Sequence, residues 1–185
     1  MPDDPHSKDK TYTQLSVWLL PATPLLEKLR SSIQTLAKDF DAIEFEPHVT
    51  IFSGSSDDDE MCALVQQIAS MFPPCELAGP RLHFARQYTK TLFLQFDQSA
   101  VACGMFDGLK AGSARPSNYV LNPHLSLMYK TMPLARLAEI SQTLEFPKGP
   151  YLFDRLRVIE TEIPLSRPKQ ISGWRTVFEC ALRLS

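Results

Sequence analysis

The chain has 185 residues, 44% of them hydrophobic and 22% charged, with a formal net charge of −2. This is ordinary globular composition, enough for one domain or two lobes sharing a core. It excludes the strongly basic surface expected of a protein that grips a long nucleic-acid duplex or an anionic membrane, while leaving a small phosphate ligand open.

Residues 14–20, QLSVWLL, form a short apolar run of strand formers that Pro21 ends. From Pro24 to Phe40, Leu25, Leu26, Leu29, Ile33, Leu36 and Phe40 recur at three- and four-residue spacing. That spacing predicts an amphipathic helix, with Thr23 as its cap and Pro24 in its first turn. FEPHVTIFSG (45–54) reads as a strand, and SSDDDEMCALVQQIASMF (55–72) as a helix whose acidic start suits a helix N-terminus. CELAGPRLHFARQ (75–87) and TLFLQF (91–96) read as strands joined into a hairpin by the turn-like YTK. Residues 98–112 follow as a helix and SARPSN (113–118) as a loop. HLSLMYK (124–130) is the next strand, and PLARLAEISQTLEF (133–146) repeats the helical period. YLFDRLRVIETEI (151–163) and WRTVFECALRL (174–184) close the chain as two longer strands, separated by the loop PLSRPKQISG. Each half of the chain offers the same kinds of element, so the expected fold class is α+β, with two related lobes, each an antiparallel-rich sheet.

Residues 1–12 are expected to be a disordered tip, and residues 13–185 a single bilobal domain. No apolar run reaches the length of a membrane span, and the polar, acidic start does not resemble a secretory or transit peptide. A cytosolic monomer with no membrane partner is therefore expected. Cys62, Cys75, Cys103 and Cys180 are widely spread with no C-x-x-C pair, so they read as reduced thiols.

Two heptapeptides carry the chemistry. EPHVTIF (46–52) and NPHLSLM (122–128) share proline, histidine, an aliphatic residue and a hydroxyl residue in the same order, and use two of the four histidines. Side chains alternate along a strand, so His48 and Thr50 share one face while Val49 and Ile51 take the core side. His124 and Ser126 likewise share a face, with Leu125 and Leu127 behind them. Pro47 and Pro123 start each strand without needing a ladder donor. One such strand would be unremarkable; the repetition is the signal. If the lobes face each other, two imidazoles and two hydroxyls converge on one cleft. One imidazole then takes a proton from water, the other gives one to a leaving oxygen, and the hydroxyls hold non-bridging oxygens. Phosphodiester cleavage without a metal or other cofactor fits these parts best. A zinc site lacks a third ligand at ligand-like spacing, and neither a nucleophile elbow nor a Gly-rich phosphate loop is present.

His-Val-Thr at 48–50 and His-Leu-Ser at 124–126 resemble the twin H-x-[ST] signatures of the 2H phosphoesterase superfamily. SVWLLP (16–21), PHVTIF (47–52), PHLSLMY (123–129) and WRTVFECAL (174–182) are most similar to its plant- and yeast-type cyclic phosphodiesterases. The resemblance implies a bilobal fold with helices outside and the active-site cleft between the lobes. It also implies His48 and His124 as the acid–base pair and Thr50 and Ser126 as phosphate anchors. The implied substrate is a nucleoside-type cyclic phosphate, such as ADP-ribose 1″,2″-cyclic phosphate or a nucleoside 2′,3′-cyclic phosphate, opened to a phosphomonoester. RNA ends are the second substrate class in the family's range, and a non-catalytic nucleotide-binding protein of the same fold is a third reading. By position, Trp18 and Tyr129 match aromatic residues lining the family's cleft. A run of phenylalanines in the plant enzymes is replaced here by RQYTKT (86–91), where Tyr88 is the expected aromatic substitute and Arg86 and Lys90 make the rim more basic. His83 is expected to be structural and His6 to lie idle in the tail.

Overall fold

The computed structural model describes residues 12–183; the expected N-terminal tip lies outside them apart from Tyr12. The first strand, β1 (Tyr12–Pro21), leads into helix α1 (Leu25–Phe40), which buries the stripe Leu26, Leu29, Ile33, Leu36 and Ala37. The helix starts one turn position later than the capping pattern suggests. Pro24 itself occupies the N-cap, and no side chain bonds to the first turn. Strand β2 (Val49–Gly54) and helix α2 (Asp58–Met71) follow, and here the cap is present, with Asp57 accepting from the Asp59 amide at 2.9 Å.

The predicted strand at 75–87 is two strands, β3 (Cys75–Leu77) and β4 (Arg81–Phe84). Gly79 between them has φ +62°, and a Cβ there would lie 2.2 Å from the Asp97 carboxylate. Only glycine combines that left-handed turn with so close an approach. The YTK segment is a short 3₁₀ turn, Tyr88–Lys90, before β5 (Leu92–Gln95). Helix α3 (Ala100–Gly112), strand β6 (His124–Met128), helix α4 (Leu134–Thr143) and strand β7 (Tyr151–Ile163) lie close to their expected bounds. The closing loop contains a one-turn helix, α5 (Pro168–Ser172), before strand β8 (Arg175–Ala181).

The strands order as β3-β7-β1-β2-β6-β5-β4, with β8 also on β7, and every pair is antiparallel. A single register pair, Val49 with Leu125, joins β2 to β6 and forms the seam between two sub-sheets. About this seam the two sides repeat. The β1–β2 ladder slips between Val17 and Trp18, passing over Ile51 and setting Trp18 opposite Thr50; the β5–β6 ladder slips between Leu92 and Phe93, passing over Leu127 and setting Phe93 opposite Ser126. The fold is thus α+β, as the sequence predicts, but the lobes are not the two halves of the chain. Helix α1 packs on β6 and α4 on β4, while α2 packs on β7 and β8, and α3 on β2. The physical cause is β1, whose apolar positions are buried from Leu15 to Pro21. A strand so enclosed needs partners on both edges, and β7 from the far end of the chain supplies the second.

Val49, Ile51, Leu125 and Leu127 are all at most 1% exposed and join one core cluster with Val17, Leu19 and Leu29. Their alternates, His48, Thr50, His124 and Ser126, are left on the other face of the seam.

Candidate active site

The register pair Val49–Leu125 falls at the middle residue of both H-x-[ST] triplets. In antiparallel pairing this sets His48 across from Ser126 and Thr50 across from His124, a local two-fold arrangement. All four side chains line one cleft of about 260 Å³ on that face.

Each imidazole is held by the same device. Nδ1 of His48 lies 2.6 Å from the Glu46 carbonyl oxygen, and Nδ1 of His124 lies 2.7 Å from that of Asn122. A carbonyl only accepts, so Nδ1 carries the hydrogen in both rings and Nε2 is the nitrogen left for a ligand. The proline between carbonyl and histidine fixes the extended backbone that allows this two-residue return.

Burial keeps both rings neutral. It pulls the His48 pKa down to about 3, opposed by the Glu46 hydrogen bond and reinforced by the positive charges of His124 and Arg157. It pulls His124 down to about 4, opposed by the Asn122 bond and reinforced by Lys90. The Trp18 ring stacks flat on His48, with centroids 3.6 Å apart and planes 9° from parallel, and Phe93 meets His124 edge-on at 5.7 Å. These contacts are two-fold counterparts, since Trp18 and Phe93 occupy matching positions beside the motif strands.

The hydroxyls differ in what they touch. Ser126 is 5% exposed and its Oγ donates to the Thr89 carbonyl at 2.8 Å, tying the 3₁₀ turn to β6. Thr50 is held through its backbone, whose carbonyl accepts from the Tyr119 hydroxyl at 2.8 Å. Burial pushes that phenol up to about 12.

Of the three expected aromatic contacts, Trp18 lines the cleft but is 3% exposed, with one face covered by His48. Tyr129 also lines the cleft, stacked at 4.0 Å on Phe45, and burial raises its hydroxyl pKa. Tyr88 is not among the residues lining this cleft. It lines the adjoining depression with Lys130 and Thr131, its ring 6.1 Å from that of Tyr129. The reason is the turn: as the first residue of a 3₁₀ segment, Tyr88 is rotated away from the side that Thr89 and Lys90 present. His83 stacks near Phe93, 5.9 Å between centroids, outside the cleft, and His6 lies outside the described residues.

Several cleft residues escape the sequence reading. Trp174 stands edge-on to Trp18 at 4.9 Å and to His48 at 5.7 Å, and its indole N–H is buried with no hydrogen-bond partner among the described residues. It opens the segment WRTVFECAL, but nothing in that segment points its ring at the cleft, which it reaches only through the β7–β8 pairing. Gln14 and Ser16 were findable, since alternation along β1 puts them on the Trp18 face. They meet Ser53 at 2.6 and 2.8 Å, forming an uncharged polar end of the cleft with Thr161. Among the described residues no three His, Cys, Asp or Glu side chains are grouped so as to hold a metal ion, and no helix is long and apolar enough to cross a membrane. The four cysteines are free thiols.

Residues 14–84, from β1 through the first motif to β4, match the family model described as cyclic phosphodiesterase-like protein. No curated protein matches the chain significantly in sequence. Among solved structures, ligand-free E. coli LigT aligns with a TM-score of 0.57 at 15% identity, covering 92% of this chain and 98% of LigT. LigT complexed with 3′-AMP gives 0.55 at 15% identity over the same shares. A structure described as a phosphoesterase gives 0.55 at 15% identity, over 93% of this chain and 99% of its own. At such identity the likeness is one of fold.

Proposed function

We propose that this chain is a 2H phosphoesterase, a metal-independent cyclic phosphodiesterase that opens a nucleoside-type cyclic phosphate to a phosphomonoester. The observation that carries the reading is the seam: two H-x-[ST] triplets paired across Val49 and Leu125, each imidazole presenting Nε2 to one cleft. ADP-ribose 1″,2″-cyclic phosphate and nucleoside 2′,3′-cyclic phosphates are the substrate classes this arrangement suits. Nucleotide recognition by the fold is supported by E. coli LigT, which has been crystallised with 3′-AMP, ATP and NADP+.

The reaction runs in one displacement. His48, the more deeply buried imidazole and the one stacked under Trp18, takes a proton from water through Nε2 as the water oxygen bonds to phosphorus. The opposite ring P–O bond breaks, and His124, the more open of the pair, gives its Nε2 proton to the leaving oxygen. Thr50 and Ser126 each donate to a non-bridging oxygen, Ser126 exchanging its bond to the Thr89 carbonyl for one to phosphate. A bound phosphate anion raises both imidazole pKa values, which charges His124 when substrate is present. Transfer of one proton from His48 to His124 through solvent then resets the site.

His48→Ala and His124→Ala should each lower kcat by roughly 10²–10⁴-fold while leaving the far-UV circular dichroism spectrum native-like. A chelator should leave wild-type turnover unchanged. Assaying cyclic-phosphate opening by ³¹P NMR tests both; full activity in either variant, or loss on chelation, overturns the proposal.

A further inference from the structure

The cleft holds one charged side chain that this mechanism does not use. Lys90 closes the 3₁₀ turn beside Ser126 and His124, half-buried, with its ammonium 5.8 Å from the centroid of Phe93. Among the described residues no carboxylate lines the cleft. Desolvation lowers the Lys90 pKa, and no anionic group among the described residues offsets it. The nearby cations are already engaged: the Lys130 ammonium bonds to the Phe40 and Asp41 carbonyls, and Arg157 pairs with Glu179 at 2.6 Å. Among the described residues Lys90 alone faces the cleft with its charge uncompensated.

A count of phosphate oxygens shows why that matters. A cyclic phosphodiester has two non-bridging oxygens, which Thr50 and Ser126 take, while the entering and leaving oxygens take the two imidazoles. Lys90 is left over. The far end of the cleft, at Gln14, Ser16, Ser53 and Thr161, offers an amide and hydroxyls but no charge. A partly desolvated cation is costly unless it meets an anion, and ammonium–phosphate contacts are among the stronger hydrogen bonds.

We propose that Lys90 is a specificity-determining residue that binds a second phosphate of the substrate, so that the cleft selects cyclic phosphates bearing another phosphate group. This rests on the cyclic-phosphate reading above and adds which members of that class are preferred. It also orients the substrate, with its further phosphate on the His124 side and its uncharged polar part on the Gln14 side.

The test is a matched pair: adenosine 2′,3′-cyclic phosphate with and without a 5′-phosphate. Wild type should favour the 5′-phosphorylated form by roughly tenfold in kcat/KM, expressed in KM, as one charged hydrogen bond allows. Lys90→Met should bring that ratio close to one, and Lys90→Arg should keep most of it. A wild-type ratio near one, or a ratio that Lys90→Met leaves unaltered, overturns the proposal. ADP-ribose 1″,2″-cyclic phosphate and a dinucleotide ending in a 2′,3′-cyclic phosphate, run alongside, separate a pyrophosphate from an RNA backbone as the source of the second anion. Should wild type open no cyclic phosphate at all, the catalytic reading fails by itself. Calorimetric binding of adenosine 3′,5′-bisphosphate against adenosine 3′-phosphate then still reads Lys90, through the same preference and its loss in Lys90→Met.

Discussion

At the residue scale, the histidines show how one constraint performs two tasks. A carbonyl on Nδ1 settles the tautomer, and burial settles the charge, so in the free protein both rings are neutral with Nε2 bare, and in the proposed reaction the substrate phosphate then charges His124. In the proposed reaction their roles separate by environment: His48 lies buried under Trp18, while His124 is the more open ring. An aryl phosphodiester with a p-nitrophenolate leaving group needs little help from an acid. On that substrate His124→Ala should recover most of its lost rate and His48→Ala should not; equal recovery by both would reverse or abolish the assignment. The bound phosphate anion raises the pKa of the acid, so the alkaline limb of kcat should lie at higher pH than that of kcat/KM. Paired pH profiles of the two parameters check the sign.

At the element scale, the motif strands were the most legible part of the chain. Period-two alternation told which side of β2 and β6 would be core, and Val49, Ile51, Leu125 and Leu127 are there. What alternation cannot show is which strands are neighbours. The sequence offered two facing lobes; the structure makes β2 and β6 adjacent, so convergence of the motifs comes from one register pair and not from closure of a gap. The split of β3 from β4 was also hidden, although its cause stands in plain letters as Ala-Gly-Pro. Strand formers on either side outweighed the glycine, yet Gly79 swings the chain from pairing with β7 to pairing with β5. Gly79→Ala should therefore cost about 1–2 kcal/mol from the left-handed backbone, plus the displacement of the Asp97 carboxylate; Gly79→Asn shares that displacement and incurs less of the backbone cost. Denaturant midpoints of the two variants test this. Equal stability of wild type and Gly79→Ala would mean the turn is free to relax. Tyr88 was misplaced for a related reason, because a 3₁₀ turn has a three-residue period that a flat hairpin tip lacks.

At the scale of the whole molecule, the buried imidazoles couple the active site to stability. In the unfolded chain a histidine protonates near its ordinary 6.5, whereas folded His48 and His124 resist until about 3 and about 4. Between those values the unfolded state binds more protons, so the stabilisation from neutral imidazoles is complete above about pH 6.5 and falls steadily on acidification. Chemical denaturation at about pH 7.5 and about pH 5 should show this loss, and His124→Gln should make it smaller. Inorganic phosphate should also reduce it, since an anion between the rings raises their folded-state pKa values. A loss that neither change alters would place its origin elsewhere.

The interleaving of the lobes also has a bearing on how the protein comes into being. β1 runs beside β7 from Tyr12 against Ile163 to Pro21 against Phe153, so β1 is completed only once β7, far later in the chain, has been made. Contacts so distant along the chain are slow to form. A nascent chain stalled near residue 150 already contains His48, Thr50, His124 and Ser126, yet Trp18 has no strand on its outer edge and Trp174 has not been translated. Such a ribosome-bound intermediate should bind no nucleotide. Completion of the cleft therefore comes late in synthesis, once β7 and Trp174 have emerged, and the exposed edge of β1 is the surface that a chaperone would need to shield until then.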